Sequence, residues 1–220
     1  MLRASRRLFH VVCFTVAVRA GWYRGLVGVA GLVASGIPVR HDRVGHRETR
    51  FFRVVNDVPD AAHLGVWPVM QLGSLAAVPV SAGVALLAGR RALAVRLVVA
   101  GGSAWAAAKV VKRVRVRGRP ARLLADVNVR GTEVTGGGFV SGHAAVAAAL
   151  AAAAAPCVGA PLRRTLWLLV PVVGASRLYV GAHLPLDTLG GASLGVTVEV
   201  VTSAVLARVV TRRRGAPAGA

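Results

Sequence analysis

The chain has 220 residues, 55% of them hydrophobic, with a mean hydropathy of +0.61, yet it carries 28 basic residues against 8 acidic ones. A disordered chain lacks that apolar content, and a soluble domain of this size does not need several uninterrupted apolar stretches of roughly twenty residues. What remains is a polytopic membrane protein whose net charge of +20, built from 26 Arg with only Lys109 and Lys112 as lysines, suits anionic partners.

In chain order, Arg3, Arg6 and Arg7 precede an apolar segment from Leu8 to Val18; Arg19 and Arg24 interrupt, and Gly25 to Ile37 is apolar again. Two readings fit: a retained span or interfacial helix with snorkelling arginines, or a signal peptide. Arg40 to Arg53 mixes both charge signs with His41 and His46 and reads as a solvated loop. Five further segments are each long enough to cross a core of about 30 Å at about 1.5 Å per residue: Leu64 to Ala88, Ala92 to Val111, Phe139 to Val158, Leu162 to Val180 and Leu184 to Val210. Alanine dominates the third of these, so that helix is expected to pack among others, where small side chains let backbones approach.

The expected fold is therefore all-α, a polytopic membrane helical bundle of about six transmembrane helices. The expected organisation is an N-terminal helix region and loop over 1–60, a membrane domain over 61–212 and a disordered tail over 213–220. Glu199, inside the last span, is expected to pair with an arginine or line the bundle interior. Tyr179 and Trp67 read as interfacial anchors. Cys13 and Cys157 lie in apolar segments without metal-ligand or redox spacing and read as small buried groups.

The hairpin order of the spans brings three places to one side of the membrane, and the sequence is unusual at each. These are Lys112 with Arg119-Pro120, then Ser141-Gly142-His143, then Ser176-Arg177 with His183 and Asp187. Guanidinium forks bind phosphate oxygens bidentately and a lysine adds a point charge, so Lys112, Arg119 and Arg177 suit a phosphoryl group. Ser141 and Gly142 at a helix head add outward-pointing backbone donors. Phosphoryl transfer also needs a nucleophile and an acid for the leaving oxygen. His183, with Asp187 four residues on, fits the first role; the carboxylate orients one ring nitrogen and frees the other. His143 fits the second. The acids Asp126, Glu133 and Asp187 have no metal-ligand spacing, which points to a metal-independent enzyme with no cofactor.

These blocks resemble the type 2 phosphatidic acid phosphatases, the PAP2 family, whose wider superfamily includes the vanadium haloperoxidases. The family pattern joins a K-x6-RP block, a PSGH block and an SR-x5-H-x3-D block. Here they read Lys112-RVRVRG-Arg119-Pro120, Val140-Ser141-Gly142-His143 and Ser176-Arg177-LYVGA-His183-LPL-Asp187. The resemblance runs from about Leu64 to Val210. It implies that Lys112, Arg119, Ser141, Gly142 and Arg177 bind phosphate, that His143 is the acid, that His183 forms a phosphohistidine and that Asp187 supports it. One departure, Val140 in place of proline, touches the start of a helix rather than a reacting group.

The implied activity is an integral membrane lipid phosphatase acting on a lipid phosphate or diphosphate such as phosphatidic acid, phosphatidylglycerol phosphate or a polyprenyl diphosphate. Membrane lipids are the expected surroundings, in a bacterial plasma membrane with the site facing outward. A non-catalytic membrane scaffold of the same fold is the alternative, though it has no need of two histidines and an aspartate at these spacings. A nucleic-acid binder is excluded, because the Arg113 to Arg122 run has no interleaved aromatics and abuts a membrane helix.

Overall fold

A computed structural model describes residues 21–131 and 135–215. The expectations for Cys13, for the retained span or signal peptide over the first twenty residues, for Glu133 and for the last five residues of the tail lie outside them. The described residues are all-helical. Their α-helices are α1 (Gly21–Gly36), α2 (His46–Asn56), α3 (His63–Gln71), α4 (Ala77–Leu87), α5 (Arg91–Val114), the single turn α6 (Pro120–Leu123), α7 (Gly142–Ala154), α8 (Ala160–Tyr179) and α9 (Pro185–Gly215).

Among the described residues, the helices from Arg91 to Val114 and from Pro185 to Arg212 are long and apolar enough to cross a membrane unaided, and Ala77–Leu87 and Gly142–Cys157 are shorter apolar helices. The span expected from Leu64 to Ala88 is not one rod: α3 ends at Gln71 and α4 begins at Ala77. Pro79 explains the restart, since a residue without an amide N–H costs nothing in a first helical turn and would break an interior one. At the break, Gly73 lies so close to α7 that a β-carbon there would stand 2.5 Å from the His143 carbonyl oxygen.

The alanine helix α7 is the centre of the bundle, and every residue from Ala144 to Ala153 is buried. The approach of α9 to it depends on two glycines one turn apart. A β-carbon at Gly191 would lie 2.3 Å from the Ser141 carbonyl oxygen, and one at Gly195 would lie 2.1 Å from that of Ala145. Hydrophobicity does little to drive helix association in lipid, so such backbone-close packing is what holds the rods together. α1 lies along the opposite flank of α9, with Gly28 and Gly31 against Ser193 and Thr197.

Glu199 is fully buried and pairs with Arg96 of α5 at 2.7 Å; Ser203 Oγ donates to the same oxygen at 2.6 Å. Tyr179 is not an interfacial anchor: it is 2% exposed, its hydroxyl donates to the Pro59 carbonyl at 3.1 Å, and Arg130 stacks over its ring at 4.1 Å. Trp67 is half exposed. Cys157 is buried, as expected, but it is disulfide-bonded rather than a simple apolar group.

The stretch expected to be a solvated loop is largely the helix α2. Its Phe52 is wholly buried against Leu178 and Leu184. Its last residue, Asn56, donates from one amide nitrogen to the carbonyls of Asn128, Leu178 and Tyr179 and accepts from the Asn128 amide. α2 and the segment after α6 are thereby fixed to the end of α8, the end from which the chemically unusual residues emerge.

Candidate active site

Each site residue is delivered by a helix terminus. Lys112 sits in the last turn of α5 and donates to the carbonyls of Gly137 and Gly138 at 2.9 and 3.3 Å. Arg119 precedes the buried Pro120, which opens α6, and its guanidinium donates to the Ala182 carbonyl at 2.8 Å and the Gly136 carbonyl at 3.1 Å. Arg177 lies in the last turn of α8, 7% exposed, with one nitrogen against the Met70 sulfur. Its Nε is buried with no protein partner among the described residues.

The chain then reverses at Gly181, whose φ of +70° is the left-handed conformation that glycine adopts at helix ends. A β-carbon there would also lie 2.7 Å from the Asn128 carbonyl oxygen. The Ala182 and His183 amides fold back onto the Arg177 carbonyl at 3.0 and 3.2 Å, which sets His183 directly beneath the end of α8. Pro185 then starts α9, where its missing N–H is no loss.

Asp187, one turn into α9 and fully buried, is the joint of the site. Its Oδ2 accepts the Leu184 amide at 2.9 Å and faces His183 Nδ1 at 3.6 Å, a distance longer than a hydrogen bond. Its Oδ1 accepts from Arg117 at 2.8 Å, and its backbone carbonyl accepts the Ser141 amide at 2.8 Å. This last bond ties the head of α7 to the head of α9, so Ser141, Gly142 and His143 stand beside His183. Ser141 is the N-cap, accepting the Ala144 amide at 3.4 Å. Its own amide is committed to Asp187, which leaves its hydroxyl proton and the first-turn amides of Gly142 and His143 as donors toward a ligand. Around Gly142 there is open space. The charges of Arg177 and Lys112 act on His143.

The three sequence blocks therefore meet at one end of the bundle. Beside them a cavity of about 410 Å³ is lined by Arg119 and Arg177 from the site, by Gly181 and Ala182 of the reversal, and by Trp67 and Met70 of α3. Burial pushes the His183 imidazole down to about 4, helped by the positive charges of Lys112 and Arg177 and only partly opposed by Asp187. Desolvation decides the sign. His183 is thus neutral at pH 7, the form in which a ring nitrogen is a nucleophile. Burial likewise lowers the Arg119 guanidinium from its ordinary value, while the hydrogen bonds and charges of Glu48 and Asp187 raise that of Arg117.

Two residues at the site were not singled out from the sequence. Arg117, 1% exposed, is shared between Asp187 and Glu48 of α2, with contacts to the Glu48 carboxylate at 2.8 and 3.1 Å. Glu48 also accepts the Leu186 amide in the first turn of α9 at 3.1 Å. Arg117 belongs to an alternating Arg-Val run in which Arg113 and Arg115 are exposed, and nothing in that alternation marks the one that turns inward. Among the described residues no group of three or more His, Cys, Asp or Glu is placed to hold a metal ion.

No curated protein sequence matches the chain. Two solved structures resemble it in fold. Aquifex aeolicus LpxE is 25% identical with a TM-score of 0.63, over 70% of this chain and 93% of that one. A transmembrane PAP2-type phosphatidylglycerolphosphate phosphatase of Bacillus subtilis is 17% identical with a TM-score of 0.64, over 86% of this chain and 98% of that one. The sequence profile of the PAP2 superfamily matches residues 92–210, a stretch that runs from α5 into the last turns of α9 and takes in all three blocks, and on that match this integral membrane protein belongs to the PAP2 superfamily.

Proposed function

We propose that the protein hydrolyses a lipid phosphate monoester or diphosphate through a phosphohistidine on His183, without a metal. The observation that carries this reading is the Ser141 to Asp187 backbone bond at 2.8 Å, which holds both histidine-bearing segments at one end of the bundle beside three cations. Lys112, Arg119 and Arg177 bind the phosphoryl oxygens, joined by the Ser141 hydroxyl and the Gly142 amide. The buried, unpartnered Nε of Arg177 supports an anionic guest.

Asp187 holds His183 Nδ1, and Nε2 attacks phosphorus while the bond to the lipid oxygen breaks. His143 gives that oxygen its proton. The bound phosphate offsets the cations around His143, so the imidazole carries its proton in the complex and returns as the base that activates water against the phosphohistidine. Position sets the substrate class: a phosphate site at the end of an apolar bundle meets a headgroup while the tail remains in lipid. In this reading residues 61–212 form the phosphatase membrane domain, preceded by the N-terminal helix region, and the site faces outward from a bacterial plasma membrane.

The test is a phosphate-release screen in detergent over phosphatidic acid, phosphatidylglycerol phosphate and a polyprenyl diphosphate. The activity named for the Bacillus subtilis protein places the second lipid on that panel. Release that disappears in His183→Ala and survives EDTA is expected. Equal release from that variant, or EDTA inhibition that Mg²⁺ reverses, overturns the mechanism.

A further inference from the structure

We infer that Arg117 and Glu48 are positioning residues for His183: together they aim the Asp187 carboxylate and so fix which ring nitrogen of the histidine carries the proton. The inference rests on the phosphohistidine reading above and adds two residues that the three-block pattern does not specify: Arg117 at a variable position of the first block, and Glu48 on a helix that lies before the matched residues 92–210.

The geometry is a closed ring. The Leu186 amide donates to Glu48 at 3.1 Å, Glu48 takes a two-pronged contact from Arg117, Arg117 donates to Asp187 Oδ1 at 2.8 Å, and Asp187 lies in the same first turn of α9 as Leu186. The two Asp187 oxygens are thereby divided between different partners. Oδ1 belongs to Arg117, which stops the carboxylate from rotating, and Oδ2 is left for the Leu184 amide and His183 Nδ1. The ring is largely withdrawn from water, with side-chain exposures of 1% for Arg117, 8% for Glu48 and 0% for Asp187. A planar guanidinium suits this role because one face of its fork grips Glu48 while the remaining edge points to Asp187; a lysine cannot fix both directions. An arginine fully out of water beside a catalytic carboxylate also needs a second carboxylate to offset its desolvation, and Glu48 supplies it. The other charged groups acting on His183 and Asp187 are Lys112 of α5, Arg119 before α6 and Arg177 of α8. All of these are cations, so the Arg117 and Glu48 pair is the part of the surroundings that sets direction rather than net charge.

The experiment is ¹⁵N NMR of histidine-labelled full-length protein in detergent at pH 7, which distinguishes a ring protonated at Nδ1 from one protonated at Nε2, combined with kinetics on the lipid phosphate that the wild type turns over. Wild-type His183 is expected to be held as the Nδ1–H tautomer. Glu48→Gln and Arg117→Lys are expected to mix the two tautomers and lower kcat about tenfold with KM unchanged, and Glu48→Asp to recover part of both. A role confined to clipping α2 to the bundle predicts a lower Tm with the tautomer and kcat of the wild type; that outcome overturns the inference, as does a wild-type His183 protonated at Nε2. The spectra need no turnover, so an inactive wild type with the expected tautomer sinks the phosphatase reading alone.

Discussion

Two buried arginine-carboxylate clusters cross this bundle, and they are built for different ends. Deep between α5 and α9, Arg96 meets Glu199, with Ser203 closing the group, and the residues around it are apolar. At the end of the bundle, Arg117 meets Glu48 and Asp187, and the far oxygen of Asp187 faces a histidine near a cavity. The first cluster ties α5 to α9 through one Glu199 oxygen, while the other faces Arg24 of α1 at 4.0 Å. The second links α2 through an arginine and Asp187 to the proposed nucleophile, His183. Burial of an ion pair alone does not mark a site; what distinguishes the second cluster is the histidine at its edge and the cavity nearby.

The sharpest way to break the comparison is to remove the ring itself. His183→Ala is expected to abolish turnover while leaving the thermal unfolding midpoint near that of the wild type, which a parallel phosphate-release and unfolding measurement checks. His143→Ala is expected to cost about 10²- to 10⁴-fold in kcat, the range for loss of a general acid. Glu199→Gln should do the opposite of both: it strands Arg96 in the bundle, with a loss of stability on the order of 3–5 kcal/mol, and leaves activity per folded molecule unchanged. If Glu199→Gln instead lowers kcat in fully folded protein, the two clusters are not separate.

Gly181→Ala sharpens the contrast from the backbone side. The variant must strain a left-handed φ and push on Asn128, so activity should fall more than stability as His183 is displaced. The smallest effect concerns pH. Because His183 is depressed to about 4, its protonation should cause no loss of kcat/KM, corrected for substrate ionisation, between pH 7 and 5, and a decline only near 4. A decline centred on the ordinary histidine value means that the ring is better solvated than its burial indicates.

Much of the site was legible because its residues are close in sequence. Ser176 to Asp187 is one helix end, one turn and one helix start, so fixed spacing translates into fixed geometry without knowledge of the rest of the fold. The alanine run likewise announced a crowded helix, and α7 is the most enclosed element. Glu48 was hidden because its partner lies 69 residues away, and a carboxylate among arginines reads as solvated surface until a tertiary contact selects one of them. The break between α3 and α4 was hidden for another reason. Gly73 and Ser74 interrupt the helix without interrupting the apolar composition, so a hydropathy window passes over the place where the backbone of α7 presses in.

The length of α9 has a consequence for where chemistry occurs relative to the lipid. Its 31 residues span about 46 Å at 1.5 Å each, against a hydrocarbon slab of about 30 Å. The surplus has to tilt or overhang, and the exposed cations Arg208 and Arg212 lie at the far terminus. Asp187 rides on the near terminus of the same rod. One rod thus carries both ends, so its length and tilt tie the depth of the distal arginines to the depth of His183 beside the near terminus.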